Sequence, residues 1–350
     1  WYFLSDLPYG YSQNILYMVL FVLMVAAVFW MWQKDWALAH LLMLLLFLWE
    51  AIAMSLTTAF SGNYWYFHLI YALIFIFLPH KLFFLRAAFL LFYFLSGFVK
   101  IHEGWILGTY FTSLQTGFPL FPDIITPLFT NLVIFMEIVG AWFLLSRHTV
   151  LQKLVLGFFI FFHLYSGILV KFTYPTVTLP MLLVLFGPIQ VRAEPPFDKK
   201  ATAGWILLLL LLAIQPISLF IRGDVKLTLE GNKYGLYMFE ANHQCISTTT
   251  MINKDGATKT YREESYSARA RCDPYRYWFR LNQTCLQRGG EIERIAWQFD
   301  HSINGGPFYR IVDEGNACVL AYRPFFHNEW IRLPEEGASV IGYPVKNFYE

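Results

Sequence analysis

Residues 84–105 read FLRAAFLLFYFLSGFVKIHEGW. A helix crosses the hydrocarbon core of a bilayer in about 20 mostly apolar residues, and this run predicts such a span over 83–101. Three polar residues interrupt it at equal spacing: Arg86, Tyr93 and Lys100. Seven residues make two helical turns less about 20°, so all three share one face, and Gly97 lies close to that face. Two readings of the stripe stand at this point. Arg86 and Lys100 are anchors that snorkel to the two interfaces, or the stripe faces the interior of a helix bundle. Tyr93 between them and the small Ser96 and Gly97 favour the second.

The rest of the chain extends this reading. Of 350 residues 57% are hydrophobic and 14% are charged, where a soluble domain carries about a quarter charged. Seven further apolar segments resemble the first, at 13–32, 37–58, 64–80, 124–146, 150–171, 175–191 and 202–221. The fold class expected is an α-helical polytopic membrane bundle with eight spans in residues 1–221. Pro175 and Pro180 interrupt the seventh. Lys and Arg mark the cytoplasmic side of such bundles. Under strict alternation Lys34, Lys81, Arg86, Arg147, Lys153, Arg192, Lys199 and Lys200 fall on one side, and only Lys100 and Lys171 on the other. Residues 1–12 and everything after 221 are then exported. A ninth span before Trp1, with a cytoplasmic N-terminus, is the expected completion of that topology.

Composition changes after residue 221. Residues 1–221 hold ten Lys/Arg and eight Asp/Glu, whereas 222–350 hold sixteen of each. All four cysteines, Cys245, Cys272, Cys285 and Cys318, lie in the second part. An oxidising, exported compartment suits that distribution, and the four allow three disulfide connectivities. Residues 222–350 are expected to form a mainly-β exported domain. Val225–Glu230, Tyr277–Leu281 and Ala317–Tyr322 read as strands, with turns at Gly231-Asn232, Lys254-Asp255-Gly256 and Asn304-Gly305-Gly306. Asn282-Gln283-Thr284 is a glycosylation sequon. The net charge of +2 gives no reason to expect a nucleic-acid partner, and the bilayer is the partner that composition demands.

Ionisable groups inside spans cost roughly 2.5–3.5 kcal/mol at mid-helix, so each is a candidate for function. They are His40, Glu50, His68, Arg86, Lys100, Glu137 and His163. Burial penalises the charged form of a lysine, and a neutral amine is a general base. Glu103, three residues beyond Lys100, would oppose this by favouring the ammonium. Glu137 opens a run with the small Gly140 and Ala141, which let helices approach closely. His163 precedes Ser166 and Gly167 on one face; it is either a packed, hydrogen-bonded histidine or a functional one. Glu50 is either bonded to a neighbour or lines a pocket. The nine histidines show no HxxxH or HExxH spacing, so no metal is expected.

The sequence Tyr93-Phe94-Leu95-Ser96-Gly97-Phe98-Val99-Lys100, with Arg86 before it and Trp105 and Gly108 after it, resembles the horizontally transferred transmembrane (HTTM) family, which includes the vitamin K-dependent gamma-carboxylases. Glu137 with Gly140, and Phe162-His163 with Pro175 twelve residues on, look like that family's next signature. The resemblance covers most of residues 1–190. It implies that Lys100 deprotonates a reduced vitamin K or other quinol, with His163 near the same pocket. Arg86, Tyr93, Trp105, Asn63, Glu50 and Glu137 would then bind substrate or quinone. Oxygen would convert the quinolate to a strong base, a glutamyl γ-proton would leave, carbon dioxide would add, and the quinone epoxide would be released. The family's Asn-Asn-His is represented here by Asn63 without the histidine directly after it, and its acidic residue beyond the lysine by His102-Glu103.

Two functions from different classes follow. One is a membrane carboxylase/epoxidase-like enzyme acting on an exported peptide or protein. The other is a non-catalytic accessory subunit of a membrane complex that binds a partner through its exported domain. A transporter would show repeated halves with broken helices, and no half-to-half similarity exists.

Overall fold

A computed structural model describes residues 9–56, 64–113, 122–169, 172, 174–187, 194–231, 235–236, 241–265, 272–323, 325–333 and 339–340. Asn63 lies outside these residues. The chain forms two compact units, one of residues 1–89 with 191–210 and one of 90–190 with 211–350.

The first unit is helical. Helices α1 (Tyr9–Trp32), α2 (Trp36–Leu56) and α3 (Tyr64–Phe77) pack in sequence order. Lys34 turns the chain between the first two with a positive φ of 61°, and Asp35 Oδ1 accepts from Leu38 N at 3.1 Å to cap α2. Helix α4 (Lys81–Val99) begins in this unit and ends in the other, as does α10 (Thr202–Ile214). Phe83 and Phe84 pack on Trp205 with centroids 5.4 and 5.7 Å apart. A Cβ on Gly204 would stand 2.3 Å from the Phe84 ring, so that contact requires glycine. Below it, His80 Nε2 lies 3.0 Å from Asp198 Oδ2, and Asp198 Oδ1 accepts from Ala201 N.

The second unit contains α5 (Glu103–Ile106), α6 (Thr109–Thr112), α7 (Thr126–Ile138), α8 (Thr149–Leu169), α9 (Pro175–Phe186), α11 (Val225–Thr228) and α12 (Pro274–Arg288). Its antiparallel sheet runs in the order β2 (Thr258–Ser265), β1 (His243–Asn253), β3 (Ile292–Ile303), β4 (Tyr309–Glu314), β5 (Ser339–Val340). Trp297 stands opposite Thr249, and Phe299 opposite Ser247. Trp297, Phe299, Ile295, Ile311 and Val312 form the core, against which α12 sets Tyr277, Trp278 and Leu281. Strand β2 is one of the two outer strands, and its exposed Lys259, Arg262, Glu263 and Glu264 discourage pairing with another sheet. The β3–β4 turn places Asn304 at φ 49° and Gly305 at φ 73°, the left-handed pair that a tight hairpin needs. Cys245 bonds Cys272, and Cys285 bonds Cys318.

The helical part is less regular than composition suggested. Among the described residues four helices are long and apolar enough to cross a membrane: Trp36–Met54, Lys81–Val99, Thr149–Leu169 and Lys199–Ile217. Eight spans are not supported. The run 124–146 breaks because α7 stops at Ile138 and the chain continues as a 3-10 helix over Gly140–Leu145. Thirteen α-helical residues rise only about 20 Å, short of a hydrocarbon core of about 30 Å. Shorter apolar stretches lie at Tyr17–Trp32, within the 24-residue α1, at Trp65–Phe77 and at Pro175–Phe186. Several apolar helices and a disulfide-bonded sheet suit a membrane protein whose C-terminal part meets an oxidising environment.

Three expected strands are not strands. Val225–Thr228 is a helical turn, because Asp224 caps it and Leu229 closes it in the left-handed region at φ 56°. Tyr277–Leu281 lies within α12, which Asp273 and Pro274 start in the N-cap and first-turn positions. Ala317–Val319 is a 3-10 turn capped by the Asn316 side chain.

Two histidines face each other inside the sheet. His243 Nδ1 lies 3.0 Å from His301 Nε2, and His301 Nδ1 donates to the Leu227 carbonyl. A carbonyl can only accept, so His301 carries its proton on Nδ1, and its Nε2 accepts from His243. Burial favours the neutral form of both rings. Burial pushes His301 down to about 4, and burial with the His301 ring alongside holds His243 well below its ordinary value. An imidazole that is neutral when folded and protonated when unfolded stabilises the fold above pH 6.5. That contribution is lost as pH falls from 6.5 toward 4, by about 3 kcal/mol for His301. Thermal unfolding of the full chain is expected to fall steeply between pH 6.5 and 4.5, and His301→Gln to flatten that slope. An equal slope in both proteins would contradict the assignment.

Candidate functional site

Gly97 brings α4 against α7. A Cβ at that position would lie 2.7 Å from Ile138 Cγ1 and 2.9 Å from Glu137 Cβ, closer than real contacts allow. The close approach sets Lys100, one residue beyond α4, against Glu137 near the end of α7. Lys100 Nζ donates to Glu137 Oε2 at 2.6 Å and to the Ser96 carbonyl at 3.1 Å. Lys100 is 2% exposed and Glu137 0%, so both charges lie out of solvent. Glu137 Oε1 is buried with no hydrogen-bond partner among the described residues.

An aromatic wall stands beside the ion pair. The Trp105 ring lies 5.0 Å from Lys100 Nζ, and Trp105 stacks on Tyr110 with centroids 4.9 Å apart. Phe111 meets both rings edge-on. Helix α5, which carries Trp105, starts where the His102 side chain accepts from Gly104 N at 3.2 Å. The segment after it reaches the sheet: Asn242 Nδ2 donates to the Ser113 carbonyl at 3.3 Å, and Asn242 N to Asn304 Oδ1 at 2.8 Å. The 103–113 segment thus links the Lys100 end of α4 to the β3–β4 hairpin.

A second polar pair lies farther up α4. Tyr93 Oη is 2.6 Å from His163 Nε2 on α8, and the Tyr93 ring packs on Phe159 at 4.2 Å. Tyr93 and Lys100 are seven residues apart, about 10 Å along the helix.

Four residues singled out from sequence, Tyr93, Lys100, Glu137 and His163, are thus joined in two buried pairs, with Trp105 beside one of them. Glu50 belongs to the first unit, where its Oε1 lies 3.6 Å from His68 Nδ1; a neighbour's side chain accompanies it. Arg86 is buried in the same unit. In the sequence Glu103 is the acid near Lys100 that would favour its ammonium form. It is exposed instead and heads α5, and Glu137 takes that place from 37 residues away. The nearest sequence signal for Glu137 was its own position in an apolar run ahead of Gly140. Among the described residues no group of three or more His, Cys, Asp or Glu could hold a metal ion.

Gly97→Ala is expected to destabilise the protein by about 1–3 kcal/mol, the usual cost of forcing a methyl into a packed contact. It should also lengthen the Lys100–Glu137 contact. Thermal unfolding and a structure of the variant test this; an unchanged melting temperature with the ion pair intact would count against a tight α4–α7 contact.

The arrangement is a fully buried acid–base pair at the end of an apolar helix, walled by aromatic rings. A carboxylate held by an ammonium through one oxygen can accept a hydrogen bond or a proton at the other. Comparison with protein-family models, curated proteins and solved structures finds no match for this chain.

Proposed function

We propose that this chain is an integral-membrane enzyme of the carboxylase/epoxidase kind, using a reduced quinone to modify an exported peptide or protein. The observation that carries the reading is the Lys100–Glu137 ion pair, which is buried, 2.6 Å long and flanked by Trp105. Burying two charges is costly, and replacing such a pair by apolar groups is often neutral or stabilising. A pair held in that position is better explained by chemistry than by stability. The resemblance of the 93–100 motif to the HTTM carboxylases supplies the substrate class, reduced vitamin K or a related quinol. The aromatic wall of Trp105, Tyr110 and Phe111 suits a flat quinol ring.

In this reading the Lys100–Glu137 pair removes a proton from a quinol hydroxyl. Quinol and oxygen yield quinone epoxide and water, while a glutamyl γ-proton is exchanged for carbon dioxide. Tyr93 and His163 hold a second exchangeable proton between them. In this reading the Lys100 end of α4 faces the exported side, in keeping with Lys81 and Arg86 near the other end of that helix. A quinol arriving through the bilayer and a peptide arriving from outside could both reach it.

The test is a quinol-oxidation assay on the purified full chain in nanodiscs, with oxygen and bicarbonate. Wild type is expected to form epoxide, and Lys100→Ala to lose at least about a hundredfold in rate, the contribution of a positioned acid–base group. A well-folded wild type that turns over none of several quinols would end the reading.

A second reading, an accessory subunit that binds a partner through the sheet domain, draws on a different observation. Leu286 and Val319, each next to a cysteine of the Cys285–Cys318 bridge, are exposed, as are Phe325 and Phe326. Exposed apolar residues of this kind fit a contact surface. Absence of turnover together with capture of a membrane-complex partner that Val319→Asp abolishes would favour it.

A further inference from the structure

Glu50 differs from the other buried acids of the chain. It lies in α2, fourteen residues beyond Trp36 or about 21 Å along the helix, and is 8% exposed. No hydrogen bond reaches its carboxyl from any described residue. Its ionisable neighbour is His68, whose Nδ1 stands 3.6 Å from Oε1, beyond hydrogen-bond length. The helices packed on α2 supply no other charge. Helix α1 carries no acidic or basic residue and α3 only His68, while the other ionisable group of α2 itself, His40, lies ten residues back. Tyr17 of α1 stacks on Trp65 of α3, and the Trp65 ring lies 6.4 Å from that of His68. Aromatic faces therefore border the pair, and no fixed cation does.

Electrostatics then decides where the proton sits. An ionised Glu50 beside a neutral His68 leaves a bare anion among apolar side chains, which is costly. Ionising both groups buries two charges, and at 3.6 Å no hydrogen bond between them offsets their desolvation. The state that avoids both costs has the proton on Glu50 and a neutral imidazole. The carboxyl is not sealed: its side chain is 11% exposed and that of His68 47%, so a proton or a small apolar reagent has a way in.

We infer that Glu50 is a proton-binding site of the membrane part, holding a proton at neutral pH beside a neutral, half-exposed His68. Acids and histidines placed together inside apolar helices recur in proton relays of membrane proteins. The assignment stands on the first unit alone. It needs neither function proposed above, and it gives Glu50 a ligand other than the substrate or quinone that the family resemblance implies.

The experiment labels the full chain in nanodiscs with dicyclohexylcarbodiimide, an apolar reagent that reacts with protonated carboxyls and leaves a stable N-acylurea. Peptide mass spectrometry locates the label, so wild type is read even where a variant fails to fold. At neutral pH Glu50 is expected to be labelled, and Glu50→Gln to lose that label. His68→Leu removes the imidazole and should label at least as fast as wild type. His68→Arg sets a fixed cation beside the carboxyl, which favours its ionised form, and should slow labelling by about tenfold or more. The infrared band of a protonated carboxyl should be lost in Glu50→Gln and weakened in His68→Arg; it reads the same proton without the reagent. Equal labelling and equal bands in His68→Leu and His68→Arg would show that His68 does not face the carboxyl, and would overturn the site. A wild type in which Glu50→Gln removes a carboxylate band, and no protonated one, would mean that Glu50 holds a cation instead of a proton, and would overturn it too.

Discussion

Lys100→Met and Glu137→Gln are each expected to destabilise the protein by about 3–5 kcal/mol, the cost of leaving one buried charge without its partner. Lys100→Met strands a carboxylate that is 0% exposed, and Glu137→Gln strands an ammonium that is 2% exposed. The double variant Lys100→Met/Glu137→Leu removes both charges and replaces them with apolar groups of similar volume. It should therefore recover most of the loss, giving a coupling energy of about 3 kcal/mol or more in a double-mutant cycle. Unfolding of the full chain in nanodiscs, followed by tryptophan fluorescence, measures all four corners, with Glu137→Leu as the matching single variant. A coupling below about 0.5 kcal/mol, the level of independent sites, would mean that the two side chains do not form the pair described. The cycle separates two roles that activity alone confuses. A variant with recovered stability and no turnover has lost chemistry rather than fold.

Removing the Cys245–Cys272 bridge is the second large effect. The bond closes a loop with a sequence separation of 27, and the loop-closure relation gives about 3.5 kcal/mol for that length. The Cys285–Cys318 loop, with a separation of 33, has nearly the same entropic value. Burial separates the two. Cys245 and Cys272 are fully buried in the core beside Tyr277, Trp297 and Phe299, whereas Cys285 and Cys318 are only partly buried. Cys245→Ala/Cys272→Ala loses core packing in addition to the constraint, and should cost more than Cys285→Ala/Cys318→Ala. In the native protein a mild phosphine reductant should open Cys285–Cys318 first, as read by alkylation and mass spectrometry. Simultaneous opening of both bridges would show that the sheet core gives Cys245–Cys272 no protection.

Some of the candidate site was legible in the sequence. The seven-residue spacing of Tyr93 and Lys100 and the small Gly97 beside them are local features, and helical geometry converts them into one face without reference to the rest of the chain. Partners were not legible. Glu137 lies 37 residues from Lys100 and His163 lies 70 from Tyr93. No spacing rule reaches across a loop, so the acid that the sequence shows nearest Lys100 is Glu103, three residues on. The aromatic run Tyr277–Leu281 misled for a related reason. A short apolar run fits a buried strand or the inner face of a helix, and the helix start at Asp273-Pro274 resolves the ambiguity.

What the sequence by itself determined is set by composition and short-range periodicity. These are the apolar helices, the charged and cysteine-bearing C-terminal part with its sheet, and the single polar face of α4. Tertiary structure alone decided how long each helix runs, which cysteine meets which, and that Lys100 is held by Glu137 rather than left as a lone amine. The physical reason is that hydropathy sums over residues whatever their backbone does. A helix end such as the one after Ile138, a disulfide and a buried ion pair each depend on where distant segments stop and meet.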